Sequence, residues 1–144
     1  MEVTSVQNGI IIDHVPAGTA LKVLEYLKIN PAKTKLALIM NTDSHLYGTK
    51  DIIKIEDEDG KKTPAIDLDV LGLVARTATV GIVRGGRIVE KKTPTLPEHV
   101  VNILTCRNPR CVTTTERGID QMFHLAHSGR QEYRCDYCDE EAKL

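Results

Sequence analysis

Residues 9–27 read Gly-Ile-Ile-Ile-Asp-His-Val-Pro-Ala-Gly-Thr-Ala-Leu-Lys-Val-Leu-Glu-Tyr-Leu, and the hydrophobic period changes within them. Ile10-Ile11-Ile12 is a β-branched run of the kind that fills a buried strand. It predicts a strand over residues 3–13, ended by Asp13-His14-Val15-Pro16. Ala20, Leu21, Val23, Leu24 and Leu27 then recur at helical spacing, which predicts a helix over 17–27 packed on one face. Downstream, Leu36-Ala37-Leu38-Ile39-Met40 predicts a strand over 35–41, and a polar turn follows over 41–48. Ile52, Ile53 and Ile55 predict a strand over 50–56, before a charged, solvated loop at 57–62. A short helix is expected over 67–75. A hairpin is expected over 77–83 and 87–91, turning at Gly85-Gly86, where glycine supplies positive φ. The order β-α-β-β-α-β predicts an α+β, ferredoxin-like domain, with one sheet and two helices on one face.

Thr93-Pro94-Thr95-Leu96-Pro97-Glu98 holds two of the six prolines and reads as a linker. It separates a first domain, 1–94, from a second, 95–144. All four cysteines lie in the second: Cys106 and Cys111, then Cys135 and Cys138. Two close pairs joined by a long insert suit a tetrahedral all-thiolate zinc site. Disulfides are the alternative, but the opening residues carry no signal-peptide pattern and cytosolic thiols stay reduced. The expectation is therefore a cytoplasmic chain with one structural Zn2+ ion, closed to any substrate water. His124 and His127 are alternative ligands that read better as surface residues. Residues 112–115, 121–125 and 131–134 predict short strands, giving a small all-β, zinc-ribbon-like domain in which metal stands in for a core.

The chain has 144 residues and a net charge of −1, split as +1 over residues 1–94 and −2 over 95–144. Aromatics make up 3%. Such a balance argues against a nucleic-acid-binding zinc ribbon, which needs a basic face or stacking rings. No apolar run is long enough for a membrane span. The sequence holds no phosphate-binding glycine loop or nucleophile elbow, and a closed thiolate site disfavours a zinc hydrolase. Asp13-His14 reads either as a turn cap or as a ligand pair. Lys50, Ile52 and Lys54 share one strand face, so the two lysines either reach solvent or meet an anion. Lys91-Lys92 ends the hairpin.

Several of these segments together resemble the regulatory chains of aspartate carbamoyltransferase. They are Gly9-Ile10-Ile11-Ile12-Asp13-His14-Val15-Pro16-Ala17-Gly18, Gly48-Thr49-Lys50-Asp51-Ile52-Ile53-Lys54-Ile55-Glu56, Leu96-Pro97-Glu98 and the two cysteine pairs. The resemblance implies a non-enzymatic subunit with an allosteric domain for CTP and ATP, and UTP in some members. It implies a zinc domain that docks on the catalytic chain, and a homodimer through the first domain. It places Asp13 and Lys54 at the ribose or base, and His14 and Lys91 at the phosphates. Backbone around Val6 and Gly86 would read the base edge, with Lys50 near the phosphates or a second nucleotide. Gly81 stands where many members carry an asparagine near the phosphates, and the Gly85-Gly86 turn, Arg110 and Asp139 are further departures.

Overall fold

A computed structural model describes residues 6–46, 48–57, 66–127 and 129–142. The expected strand over 3–5 and the charged loop over 58–62 lie outside the described residues. The chain divides into two compact units, Met1–Thr95 and Leu96–Leu144.

The first unit runs β1 (Gly9–Pro16), α1 (Ala20–Tyr26), β2 (Leu36–Ser44), β3 (Gly48–Glu56), α2 (Leu68–Val74), β4 (Thr79–Arg84) and β5 (Arg87–Lys92). The strands form one sheet in the order β2-β3-β1-β4-β5, with every neighbouring pair antiparallel. Strand alternation sends Ile10, Ile12, Ile53, Ile55 and Val80 to one face, where they pack on Val23 and Leu24 of α1 and Leu71 of α2. The same alternation sends Ile11, Lys54 and Gly81 to the opposite face.

β1 and β2 run past the ends their sequences predict, because each absorbs an extra residue in a bulge. In β1 the pairing steps from Ile12 opposite Ile53 to Val15 opposite Asp51. Asp13 and His14 thus share the place opposite Ile52, and His14 takes a φ of 56°. In β2 it steps from Ile39 opposite Ile52 to Thr42 opposite Lys50, with Asn41 at a φ of 57°. Asp13-His14 therefore bends a strand instead of ending it, as bulges do. The helix starts at Ala20, not at residue 17, because Thr19 N–H closes a turn on the Pro16 carbonyl at 3.1 Å. In α2, Asp67 caps the helix by accepting from the N–H groups of Asp69 and Val70. Gly72 is required there: a Cβ would stand 1.7 Å from the Thr95 carbonyl oxygen.

The second unit contains β6 (His99–Val101), α3 (Val112–Thr115), β7 (Met122–His127) and β8 (Glu132–Cys135). Its sheet has the order β6-β7-β8. Val100, Leu104, Phe123 and Tyr133 are buried together with Cys106, Cys111 and Cys135, and the Tyr133 hydroxyl donates to the Pro97 carbonyl at 2.5 Å. Residues 112–115 are a helical turn, not the expected strand, so the unit is not all-β. Thr114 and Thr115 N–H both donate to the Cys111 carbonyl, and the Thr114 hydroxyl lies 2.8 Å from the Asn108 carbonyl. The cysteine turn thus overrides the strand preference of a Val-Thr-Thr-Thr run. No helix among the described residues is long and apolar enough to cross a membrane.

Candidate functional site

The four cysteines meet. Their Sγ atoms all lie within 4.8 Å of one another, with Cys106 to Cys138 at 3.6 Å and Cys111 to Cys135 at 3.8 Å. Those separations exclude disulfides, whose sulfurs stand about 2.05 Å apart. They match the edge of a thiolate tetrahedron, about 3.8 Å for ligands roughly 2.3 Å from one ion. The turns that aim the sulfurs also supply donors: Asn108 N–H to Cys106, Thr113 N–H to Cys111, and Tyr137 and Cys138 N–H to Cys135. Burial pushes the Cys106 and Cys135 thiols up despite these donors. The Thr113 hydroxyl, 3.1 Å from Cys111 Sγ, pulls that thiol down to about 7. Four sulfurs at such spacing, three of them on buried cysteines and Cys138 half-buried, repel as thiolates unless a cation sits among them, so the donor set fits a divalent ion. His124 and His127 lie outside the cluster. His124 Nδ1 sits 2.6 Å from Asp136 Oδ1, and His127 Nδ1 accepts from Arg130 N–H.

In the first unit the register aligns one row across four strands. Lys54 pairs with Ile11, Ile11 with Gly81, and Gly81 with Lys91. Directly paired residues share a face, so two lysines bracket a floor of one isoleucine and one glycine. Their Cα atoms are about 14 Å apart, three strand spacings of about 4.8 Å. A recess of about 100 Å³ lies at the Lys91 end, lined by Ile11, Asp13, His14, Gly81, Ile88 and Lys91. A second, of about 190 Å³, is lined by Val6, Lys35, Ala37, Lys54 and Glu56.

Lys50 lines neither recess, but its ammonium lies 2.9 Å from Asp13 Oδ1. Partial burial raises the Asp13 carboxyl. The Lys50 hydrogen bond, the His14 N–H at 2.6 Å and the nearby positive charge outweigh that and hold it below the ordinary range. His14 Nε2 stands 4.0 Å from Asp13 Oδ2, and its carbonyl accepts from the Thr77 hydroxyl. Gly86 lines neither recess, and its N–H is engaged by the Gln7 carbonyl at 2.9 Å.

Two residues escape sequence reasoning. Ile88 enters the recess because a bulge in β5 sets it opposite Val83 and beside Gly81, and nothing in the hairpin sequence signals that bulge. Asp51 is fully buried, between two lysines in sequence. Its signal was the alternation Asp51-Ile53-Ile55, which points it into the core.

A cationic sheet face in one unit and a closed four-cysteine cluster in the other define the class: a candidate anion-binding domain joined to a metal-binding one. Known sequences divide in the same way. Residues 1–95 match the family model for the aspartate carbamoyltransferase regulatory chain, allosteric domain, and residues 98–143 match that for its metal binding domain. The chain is 76% identical over 144 residues, the full length of both, to the aspartate carbamoyltransferase regulatory chain of Bifidobacterium longum (strain NCC 2705). It is 43% identical over 140 residues to that of Clostridium acetobutylicum, covering 97% of this chain and 92% of the relative. It is 40% identical over 144 residues to that of Clostridium tetani (strain Massachusetts / E88), covering 100% and 97%. The chain belongs to the aspartate carbamoyltransferase regulatory chains, and is a non-catalytic subunit with an allosteric domain and a metal-binding domain.

Proposed function

We propose that the chain binds nucleoside triphosphates on the helix-free face of its first sheet and passes their effect to an aspartate carbamoyltransferase catalytic chain. The observation that carries this reading is the row Lys54–Ile11–Gly81–Lys91, with Asp13 and His14 at its Lys91 end. A triphosphate brings about four negative charges, and without a glycine loop the cations must come from side chains. Lys91, His14 and Lys50 take the phosphates, and Asp13 and Lys54 take the ribose or base. Val6 lines the recess beside Lys54, and Gly86 acts through backbone held against Gln7. Gly81 leaves the floor low enough for the ligand to lie across β1 and β4. CTP and ATP are the effectors, UTP joining them only in some members of the family, and the process controlled is pyrimidine biosynthesis in the cytoplasm.

Zn2+ is the metal, held by Cys106, Cys111, Cys135 and Cys138, and its contribution is structural, since four thiolates leave no open position. The division of labour is residues 1–94 for the effector and 95–144 for docking on the catalytic chain. The first domain is ferredoxin-like, a reading supported by the strand order β2-β3-β1-β4-β5. The two sheet edges, β2 and β5, support a homodimer through this domain. Co-expression with an aspartate carbamoyltransferase catalytic chain tests the reading. A stable complex whose carbamoyl transfer shifts with CTP or ATP is expected. A chain that does not co-purify, or a complex indifferent to every nucleotide, contradicts it.

A further inference from the structure

Among the described residues of the first unit, the most buried charge is not on the cationic face but directly behind it. Asp51 is fully buried. Its Oδ2 accepts from Ala20 N–H at 3.0 Å, and its Oδ1 accepts from Asn41 N–H at 2.8 Å. The Gly18 and Thr19 N–H groups add to these. Thr19 provides no side-chain cap of its own, so a carboxylate from β3 fills that role.

The bulges of β1 and β2 both adjoin this residue. Asn41, in the bulge of β2, donates to it directly. Val15, which closes the bulge of β1, pairs with it in the ladder. The neighbouring Lys50 is paired on one side with Pro16 and on the other with Thr42, and it reaches forward to Asp13. The dipeptide Lys50-Asp51 thus holds one charge on each side of the sheet. The rear charge fixes the backbone from which the front one acts.

We propose that Asp51 is a positioning residue for the effector site: by anchoring the β2 bulge and the segment after β1, it sets the Lys50–Asp13 pair and hence nucleotide affinity. It does so without touching the ligand. The inference rests on the nucleotide reading above. A consequence is that Asn41, on the edge strand two strands from β1, affects binding through its N–H and its left-handed backbone.

The test is calorimetry of CTP and ATP with the full metal-loaded chain, wild type and variants, together with NMR titration of the Asp13 carboxyl. Asp51→Asn keeps the side-chain shape but puts an amide where one acceptor stood. Asn41→Val places a β-branched residue where φ is 57°, which that residue resists, and keeps the test open should Asp51→Asn fail to fold. Both are expected to weaken nucleotide binding about three- to tenfold and to move the Asp13 titration upward. Asn41→Gly, at ease in that conformation, is expected to bind as wild type. Unchanged affinity in both perturbing variants overturns the proposal, as does a loss of affinity with the Asp13 titration unmoved. A wild-type chain that binds neither nucleotide overturns the nucleotide reading itself, a result distinct from wild-type binding that the variants leave intact.

Discussion

Lys50 Nζ lies 2.9 Å from Asp13 Oδ1, joining β3 to the bulge of β1 at the margin of the anion site. The pair places a carboxylate beside the phosphates and neutralises it with the same contact. Removing Lys50 alone leaves Asp13 to repel an incoming triphosphate. Lys50→Met should therefore weaken nucleotide binding more than Lys50→Met combined with Asp13→Asn does relative to Asp13→Asn. The expected coupling is roughly 0.5–3 kcal/mol, the span for residues in direct contact. Calorimetry on the four proteins of the cycle measures it, and additive losses would show that the two residues act on binding independently.

The metal should hold the second unit alone. Its core is little more than Val100, Leu104, Phe123 and Tyr133 around the cysteines, so metal binding supplies folding free energy on the order of 10–16 kcal/mol. Stripping the ion with a strong chelator or a mercurial should abolish the amide protection of β7 and β8 and leave that of β1 and β3. Cys111→Ser should do the same without any reagent. Amide exchange followed by metal analysis checks this. Persistent protection in β7 and β8 after complete metal loss would refute it.

Asp51 should give the first unit an acid limb. Burial raises its carboxyl, but the Asn41, Gly18, Ala20 and Thr19 N–H groups more than offset this, and the folded value falls below the ordinary 3.8. A depressed folded pKa contributes stability above the unfolded value, and that contribution disappears as pH falls through the folded one. Charged hydrogen bonds are worth roughly 1.5–3 kcal/mol, so Asp51→Asn should lose stability of that order at neutral pH. The variant should also lose less than wild type on acidification below about pH 4. Denaturant titrations at several pH values decide it. Parallel acid limbs in the two proteins would contradict the assignment.

The contact between Gly72 and Thr95 should tolerate no side chain. Since a Cβ would fall 1.7 Å from the Thr95 oxygen, Gly72→Ala must displace either α2 or the segment after β5. Overpacking of this kind costs roughly 1–3 kcal/mol, despite the better helix propensity of alanine. Thermal unfolding should show a lower transition for the first unit, and an unchanged or higher one would refute the contact.

The sequence was easiest to read where strand alternation was strong. Ile53 and Ile55 signal a half-buried β3, and the same alternation puts Lys54 on the opposite face. Glycines at 85 and 86 mark the hairpin, and the cysteine spacing marks the metal cluster. What escaped depends on contacts distant in sequence. Asp13-His14 and Asn41 read as strand ends, because polar residues in an apolar run resemble turns. Only the register against β3 shows that the chain passes through them. Val112-Thr113-Thr114-Thr115 has strand composition, yet the Cys111 carbonyl and Asn108 wind it into a turn. The role of Ile88 required the β5 bulge, and the row from Lys54 to Lys91 required the pairing of four strands.

The central claim is that the helix-free face takes a nucleoside triphosphate between Lys54 and Lys91. It is tested most directly by calorimetry of CTP and ATP with the wild-type chain, Lys54→Ala, Lys91→Ala and Lys22→Ala, whose lysine lies on α1 over the Tyr26 ring. Each charge-assisted contact is worth roughly 1.5–3 kcal/mol, so loss of Lys54 or Lys91 should weaken binding by roughly tenfold or more. Lys22→Ala should bind as wild type. No heat with either nucleotide at millimolar concentration, or a loss in Lys22→Ala equal to that in Lys91→Ala, would contradict the account.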